Sequence, residues 1–148
     1  MPVFRNVTEI AAPLDVCFDL SRSIDLHVES MIASKERAVA GVTSGLIGPG
    51  EEVSWEARHF GVLWRMTSRV TEFDRPHRFV DEMIRGPFSS FRHEHLFTDN
   101  GTGTKMTDIV AFHMSPGPVT AIPARIYLRR LIAIRNATIR TKAEKRGC

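Results

Sequence analysis

Between residues 53 and 112 apolar and polar side chains alternate in short runs, the period expected of strands that bury one face. The clearest run is 62–70, where Val62, Trp64, Met66 and Val70 share one face and Leu63, Arg65, Thr67 and Arg69 take the other. In 53–59 the buried set is Val53, Trp55 and Ala57, in 90–97 it is Phe91, His93, His95 and Phe97, and in 106–112 it is Met106, Val110 and Phe112. A fifth run, 79–85, mixes apolar and charged groups on both faces. Residues 45–50, 73–76, 86–87 and 99–103 are rich in turn formers, so a meander of hairpins is expected.

The rhythm differs on either side of the meander. An opening strand over 3–11 leads to Ala12 and Pro13, and Pro13 suits the first position of a helix carrying Val16, Cys17, Phe18 and Leu20. Ser23 can cap a second short helix in which Ile24, His27, Val28 and Met31 fall at i, i+3, i+4 and i+7, turning His27 inward. Residues 115–118 break the sheet, and a final helix of roughly twenty residues follows, with Pro123 in its first turn or at a kink. Its apolar stripe is expected to run through Ala124, Tyr127, Leu128, Leu131, Ile134 and Thr138, with Arg125, Arg129, Asn136 and Arg140 opposite.

One strand, two short helices, a meander and one long amphipathic helix fit an α+β fold in which a curved antiparallel sheet wraps the C-terminal helix. Each then hides the other's apolar side. With 148 residues, 43% of them apolar, one domain spanning 1–148 can bury a core of its own. No apolar run approaches the ~18 residues of a membrane helix, so no integral membrane segment is expected. Cys17 and Cys148 make no disulfide framework and the N-terminus lacks the build of a signal peptide, which together imply a cytoplasmic protein.

The formal net charge of +3 hides an asymmetry, because eight Lys and Arg stand against Glu144 alone from Arg125 onward. A nucleic-acid binder would interleave exposed aromatics or show a docking motif, and this tail offers only Tyr127 on the apolar stripe. A solvated helix face is expected, with no nucleic-acid partner; a homodimer is compatible with the sequence. Glycines 45, 48 and 50 precede no Lys-Ser/Thr and sit in no strand–helix unit, so they imply a mobile hairpin loop rather than a phosphate cradle.

Polar groups on apolar faces carry the chemical information, since burying one without a partner costs about 1–3 kcal/mol. His27, His59, His93, His95 and Asp108 qualify, and Asp81 joins them. His93 and His95, two apart on one strand, could ligate zinc with a third group such as His59, Asp81 or Asp108, but no spacing signals that third ligand. No metal and no cofactor is therefore expected. A neutral histidine oriented by Asp81 or Asp108 could move a proton on a carbonyl-bearing ligand, making His93, His95, Asp81 and Asp108 the candidates for acid–base catalysis. The competing reading is a hydrogen-bonding ladder of His, Asp and Arg69 that ties the sheet together. Cys17, between Val16 and Phe18, reads as a small buried hydrophobe.

The order of elements, Ala12-Pro13 opening the first helix, Trp55 and Trp64, the stretch Thr71-Glu72-Phe73-Asp74-Arg75-Pro76, and Gly86-Pro87-Phe88 leading into Phe91-x-His93-x-His95-x-Phe97 resemble the SRPBCC superfamily. That group holds START lipid-transfer domains, polyketide cyclases and birch-pollen-allergen-like proteins, all of helix-grip fold. The resemblance implies a cavity between the sheet and the last helix, open at one end, that takes an apolar small molecule. His27, Met31, Trp55, Trp64, Met66, Met83, Phe91, His93, His95, Phe112 and Tyr127 are its expected ligand-binding residues, and Arg125 or Arg129 could turn inward to a ligand carboxylate. The leading expectation is non-catalytic binding or transport of a hydrophobic, lipid- or polyketide-like molecule. The runner-up is a cyclase or dehydratase type of enzyme using the buried His and Asp groups. A third reading is an interaction module whose cavity is filled.

Overall fold

Hairpin connections between successive alternating runs force neighbouring strands to be antiparallel, and the sheet follows that rule throughout. A computed structural model describes residues 3–32, 35–59, 61–114 and 118–146; the side chains of 59 and 118–122 lie outside that description. The elements are β1 (Val3–Ile10), α1 (Leu14–Ser21), α2 (Ile24–Ser30), β2 (Arg37–Gly41), β3 (Glu52–His59), β4 (Val62–Asp74), β5 (Arg78–Arg85), β6 (Ser90–Asp99), β7 (Thr104–His113) and α3 (Pro118–Arg146). Seven strands form one curved sheet in the order β1-β7-β6-β5-β4-β3-β2, and α3 lies in its concavity. This is the helix-grip arrangement.

The inward faces of β3, β6 and β7 carry the residues that alternation assigned to them; in β4 Trp64, Met66 and Val70 do so, while Val62 is exposed and Thr67, assigned to the other face, is buried. The mixed pattern of β5 has a structural cause. An extra residue, Thr71, is inserted in β4 between the pairs Val70↔Asp81 and Glu72↔Val80, so Val70 and Phe73 point inward although they differ in parity. Opposite them Phe79 and Asp81 face the interior. Val80 lies between Glu72 and Glu94 on the outer face, and Arg78 bridges both carboxylates.

β2 was not expected. Its sequence, Arg37-Ala38-Val39-Ala40-Gly41, has small side chains and a register shift between Ala38 and Ala40, which erases the alternation. Gly41 ends it at φ +74°, where a Cβ would stand 2.2 Å from the Glu52 carbonyl oxygen. Gly41→Ala is expected to lower stability by about 1–3 kcal/mol, checked by urea denaturation.

The loop after β2 is also not the mobile hairpin tip expected. Its backbone is fastened to the α1–α2 junction by Ile24 N–H to Gly45 O and Ile47 N–H to Arg22 O, at 2.9 and 3.1 Å. Pro13 is the N-cap of α1 rather than its first residue, and Ser23 caps α2 by accepting from the Leu26 N–H at 3.2 Å.

The largest departure is α3, whose 29 residues include Pro123. Ile134 is exposed, while Arg135, Asn136, Ile139 and Ala143 are buried. The buried stripe keeps helical spacing from Ala124 through Leu128 and Ile132 to Ile139 and Ala143. The expected stripe drifted off it because two positions facing the sheet are polar. At the C-terminal end, Ile139 and Ala143 lie against a solid core centred on Phe18, whose ring meets Phe73, Phe79 and Phe97 edge-on at 5.2–5.3 Å. Toward its other end Ala124, Leu128 and Ile132 pack on Phe4, Phe91, Val110 and Phe112, while Tyr127 and Leu131 border open space.

Candidate functional site

The space left under the N-terminal half of α3 is a cavity of about 290 Å³. The third reading, a filled interior, fails on this observation. Strands β3 and β4 supply Trp55, Trp64 and Met66 to its wall, α2 and its C-cap supply His27 and Met31, and α3 supplies Tyr127, Leu128, Leu131 and Arg135. Phe91, His93 and His95 come from β6, and Asp81 from β5. Met83 and Phe112 do not reach the wall. They pack in the cluster of Phe4, Phe91 and Val110 instead, Phe112 fully buried. Arg125 is exposed, and Arg129 binds the Asn6 amide oxygen and the Arg5 carbonyl, so neither turns inward. The inward arginine is Arg135. The His59 side chain and Cys148 lie outside what the structure describes.

His27 leans over Trp55 with ring centroids 4.2 Å apart, and its Nε2 meets the Glu36 carboxylate. Glu36 was not anticipated, since nothing in its local pattern marks it as turned toward α2.

The polar wall is built from residues two apart on β6 and their cross-strand neighbours. His93 and His95 share a face, and their rings stack with centroids 3.7 Å apart. Phe79 stacks on the other side of His95 at 4.0 Å. Register places Asp81 opposite His93 and Asp108 opposite His95, yet the hydrogen bonds run diagonally: His95 Nε2 to Asp81 Oδ2 and His93 Nε2 to Asp108 Oδ1, each 2.7 Å. Asp108 is fully buried behind the wall. Its second oxygen accepts from Asn136 Nδ2 at 2.7 Å, and Arg135 Nη1 approaches its first at 3.5 Å. Arg69, assigned to the ladder by sequence, instead pairs outward with Glu52.

The electrostatics follow from burial. Desolvation, reinforced by His93, holds the His95 imidazole down at about 4 against the pull of Asp81, so the ring is neutral at pH 7. Burial pushes the Asp108 carboxyl up, but the His93 hydrogen bond and the Arg135 charge outweigh it and keep the carboxylate ionised. Burial likewise pushes Asp81 up, and the His95 hydrogen bond carries it below its ordinary value. A neutral His95 whose Nε2–H donates to Asp81 has an Nδ1 lone pair, which faces Arg135 Nη2 at 3.4 Å. A neutral imidazole at His93 that donates Nε2–H to Asp108 would carry its lone pair on Nδ1. That Nδ1 has no hydrogen-bond partner among the described residues.

Asp81, His93 and His95 bring ligating atoms within 4.8 Å of one another. A zinc ion about 2.0–2.1 Å from an imidazole nitrogen lies in that ring's plane, and the plane of a ring stacked beside it does not contain the same point. The stacked pair suits hydrogen bonding better than chelation. Cys17 is buried, and desolvation pushes its thiol up, which disfavours the reactive thiolate.

Residues 1–144 match the family described as polyketide cyclase / dehydrase and lipid transport. The chain belongs to that family. Solved structures with the family's helix-grip shape include Ara h 8.0201, at 14% identity and TM-score 0.73, covering 96% of this chain and 97% of that one. The Zhui aromatase/cyclase from a Streptomyces species has 16% identity and TM-score 0.74, covering 98% and 94%. Major latex-like protein 151 from Panax ginseng has 13% identity and TM-score 0.72, covering 96% and 97%. At these identities the likeness is one of fold. No curated protein matches the sequence. Among the described residues, no helix is long and apolar enough to cross a membrane.

Proposed function

We propose that the protein binds and carries a hydrophobic small molecule, lipid- or polyketide-like, between its sheet and α3. The observation that carries this reading is the cavity of about 290 Å³, walled mostly by apolar side chains, with polar groups at β6 and α3 (His93, His95, Arg135) and at the α2 side (His27, Glu36). Trp55, Trp64, Met66 and Tyr127 offer rigid faces and adaptable thioether surface to an irregular apolar body. Native mass spectrometry of freshly purified protein tests it. A co-purified adduct of lipid-like mass is expected; no adduct, and no uptake of added naphthalene-sized compounds, would overturn the reading.

A second reading is favoured by one specific feature, the His93–Asp108 pair with its free Nδ1 at the cavity. A carboxylate that fixes the tautomer of a neutral histidine is the arrangement a general base needs. In an enzyme of cyclase or dehydratase kind, His93→Gln and His95→Gln abolish turnover yet leave the affinity for a bound dye within about threefold, a gap of under 1 kcal/mol. Equal loss of turnover and affinity would assign both histidines to binding alone.

A further inference from the structure

We infer that the cavity holds its occupant end-on and selects an uncharged one, with a carbonyl or hydroxyl oxygen against Arg135 and His93 and the apolar body toward Trp55 and Trp64. This rests on the cavity reading above and adds the chemical class of the ligand's polar end.

Arg135 is the first ground. Its guanidinium has five N–H donors, it is 4% exposed, and it borders the cavity. Its contacts within the protein are long, 3.4 Å to His95 Nδ1 and 3.5 Å to Asp108 Oδ1. A buried donor set this loosely engaged gains from an oxygen acceptor placed in the cavity, because the alternative is desolvation without a partner. His93 is the second ground. Its Nε2 is held by Asp108 at 2.7 Å, so in the neutral ring the remaining nitrogen, Nδ1, is an acceptor suited to a hydroxyl.

Charge decides between a neutral oxygen and a carboxylate. At the polar wall Asp81 and Asp108 are ionised, Arg135 is cationic and His95 is neutral, so these four groups sum to one negative charge, while the other charged residues that border the cavity, Arg22, Arg69 and Glu36, are engaged with Asp19, Glu52 and His27. Asp81 itself borders the cavity and its side chain is 24% exposed, which places one carboxylate where an anionic head would have to sit. Two carboxylates at such range raise each other's energy. A ketone on Arg135 or a hydroxyl on His93 adds no charge. The volume sets the size of the body, since about 290 Å³ suits one or two fused rings better than a long acyl chain.

The test is isothermal titration of the wild-type protein at pH 7 with naphthalene, 2-acetylnaphthalene, 2-naphthol and 2-naphthoate, which share a body and differ in the polar end. The ketone and the naphthol are expected to bind at least tenfold tighter than either naphthalene or naphthoate. In His93→Phe the naphthol advantage over naphthalene is expected to shrink at least fivefold, and in Arg135→Met the ketone advantage likewise. If naphthoate binds as tightly as the ketone, or all four bind alike, the inference is overturned while the cavity reading stands. If none binds, the cavity reading falls and the inference with it. Because the wild-type series decides the ligand class, a failure of Arg135→Met to fold does not shelter the idea.

Discussion

Asp108→Ala is expected to cost about 3–5 kcal/mol of folding stability, close to the whole reserve of a marginal domain. The carboxylate is fully buried and gathers three groups: the His93 Nε2–H, the Asn136 amide and the Arg135 guanidinium. Alanine removes the only ionised partner Arg135 has within 4 Å among the described residues. It also leaves one donor on β6 and another on α3 unmatched, and buried donors left alone are expensive. Asp108→Asn separates the two contributions. It retains an acceptor oxygen for one donor and loses the charge, so it should fall between wild type and alanine. Urea denaturation at pH 7 measures both. A loss below about 1 kcal/mol for the alanine variant would mean that the cluster tolerates an uncompensated guanidinium, and Asp108 would then not be the group that ties α3 to the sheet.

That tie explains why the fold was more legible than its last helix. Alternation is a strong signal where the outward face is charged, as with Ser54, Glu56 and Arg58 against Val53, Trp55 and Ala57, and those strands lie as read. It is silent where side chains are small, and β2 went unseen for that reason. On α3 hydrophobicity itself misled. Ile134, expected on the apolar stripe, is 43% exposed, whereas Asn136, expected opposite, is buried together with Arg135. A signal was available: Ile139 and Ala143 continue the spacing of Leu128 and Ile132, and a stripe drawn through them passes over residues 135 and 136.

The polar cluster was legible only in part, for a related reason. His93, His95 and Asp108 stood out because each interrupts an otherwise apolar strand face. Which histidine pairs with which aspartate did not, because direct cross-strand register pairs them one way and the diagonal hydrogen bonds the other. Arg135 completes the cluster from an element 27 residues beyond Asp108 in sequence, so no local spacing could announce it. Asn136 anchors Asp108 with one amide group and leaves its Oδ1 buried without a partner. An unsatisfied buried oxygen of this kind costs stability.

Stability should decline on acidification in two stages, beginning well above the range where carboxylates titrate. His95 is held at about 4 in the fold, against 6.5 for an unperturbed imidazole. Between those values the unfolded chain takes up a proton at this site that the native protein refuses. The unfolded state then binds more protons, so stability falls as pH drops from about 6.5 to about 4, by roughly 1–3 kcal/mol from this residue. Below about 4 the folded ring protonates too and its contribution levels off. The carboxylates take over there. Asp108 and Asp81 lie below their ordinary value of 3.8 in the fold, so the stability they supply is complete above it and is lost as pH falls toward their depressed values. Urea denaturation at pH 7.0, 5.5 and 4.5, for wild type and His95→Gln, isolates the first stage. Glutamine cannot take up the proton, so the decline from pH 7.0 to 4.5 should be shallower in the variant, although its stability at pH 7.0 is lower. Equal slopes would move the origin of the acid sensitivity to another histidine and remove the ground for treating His95 as a neutral acceptor facing Arg135.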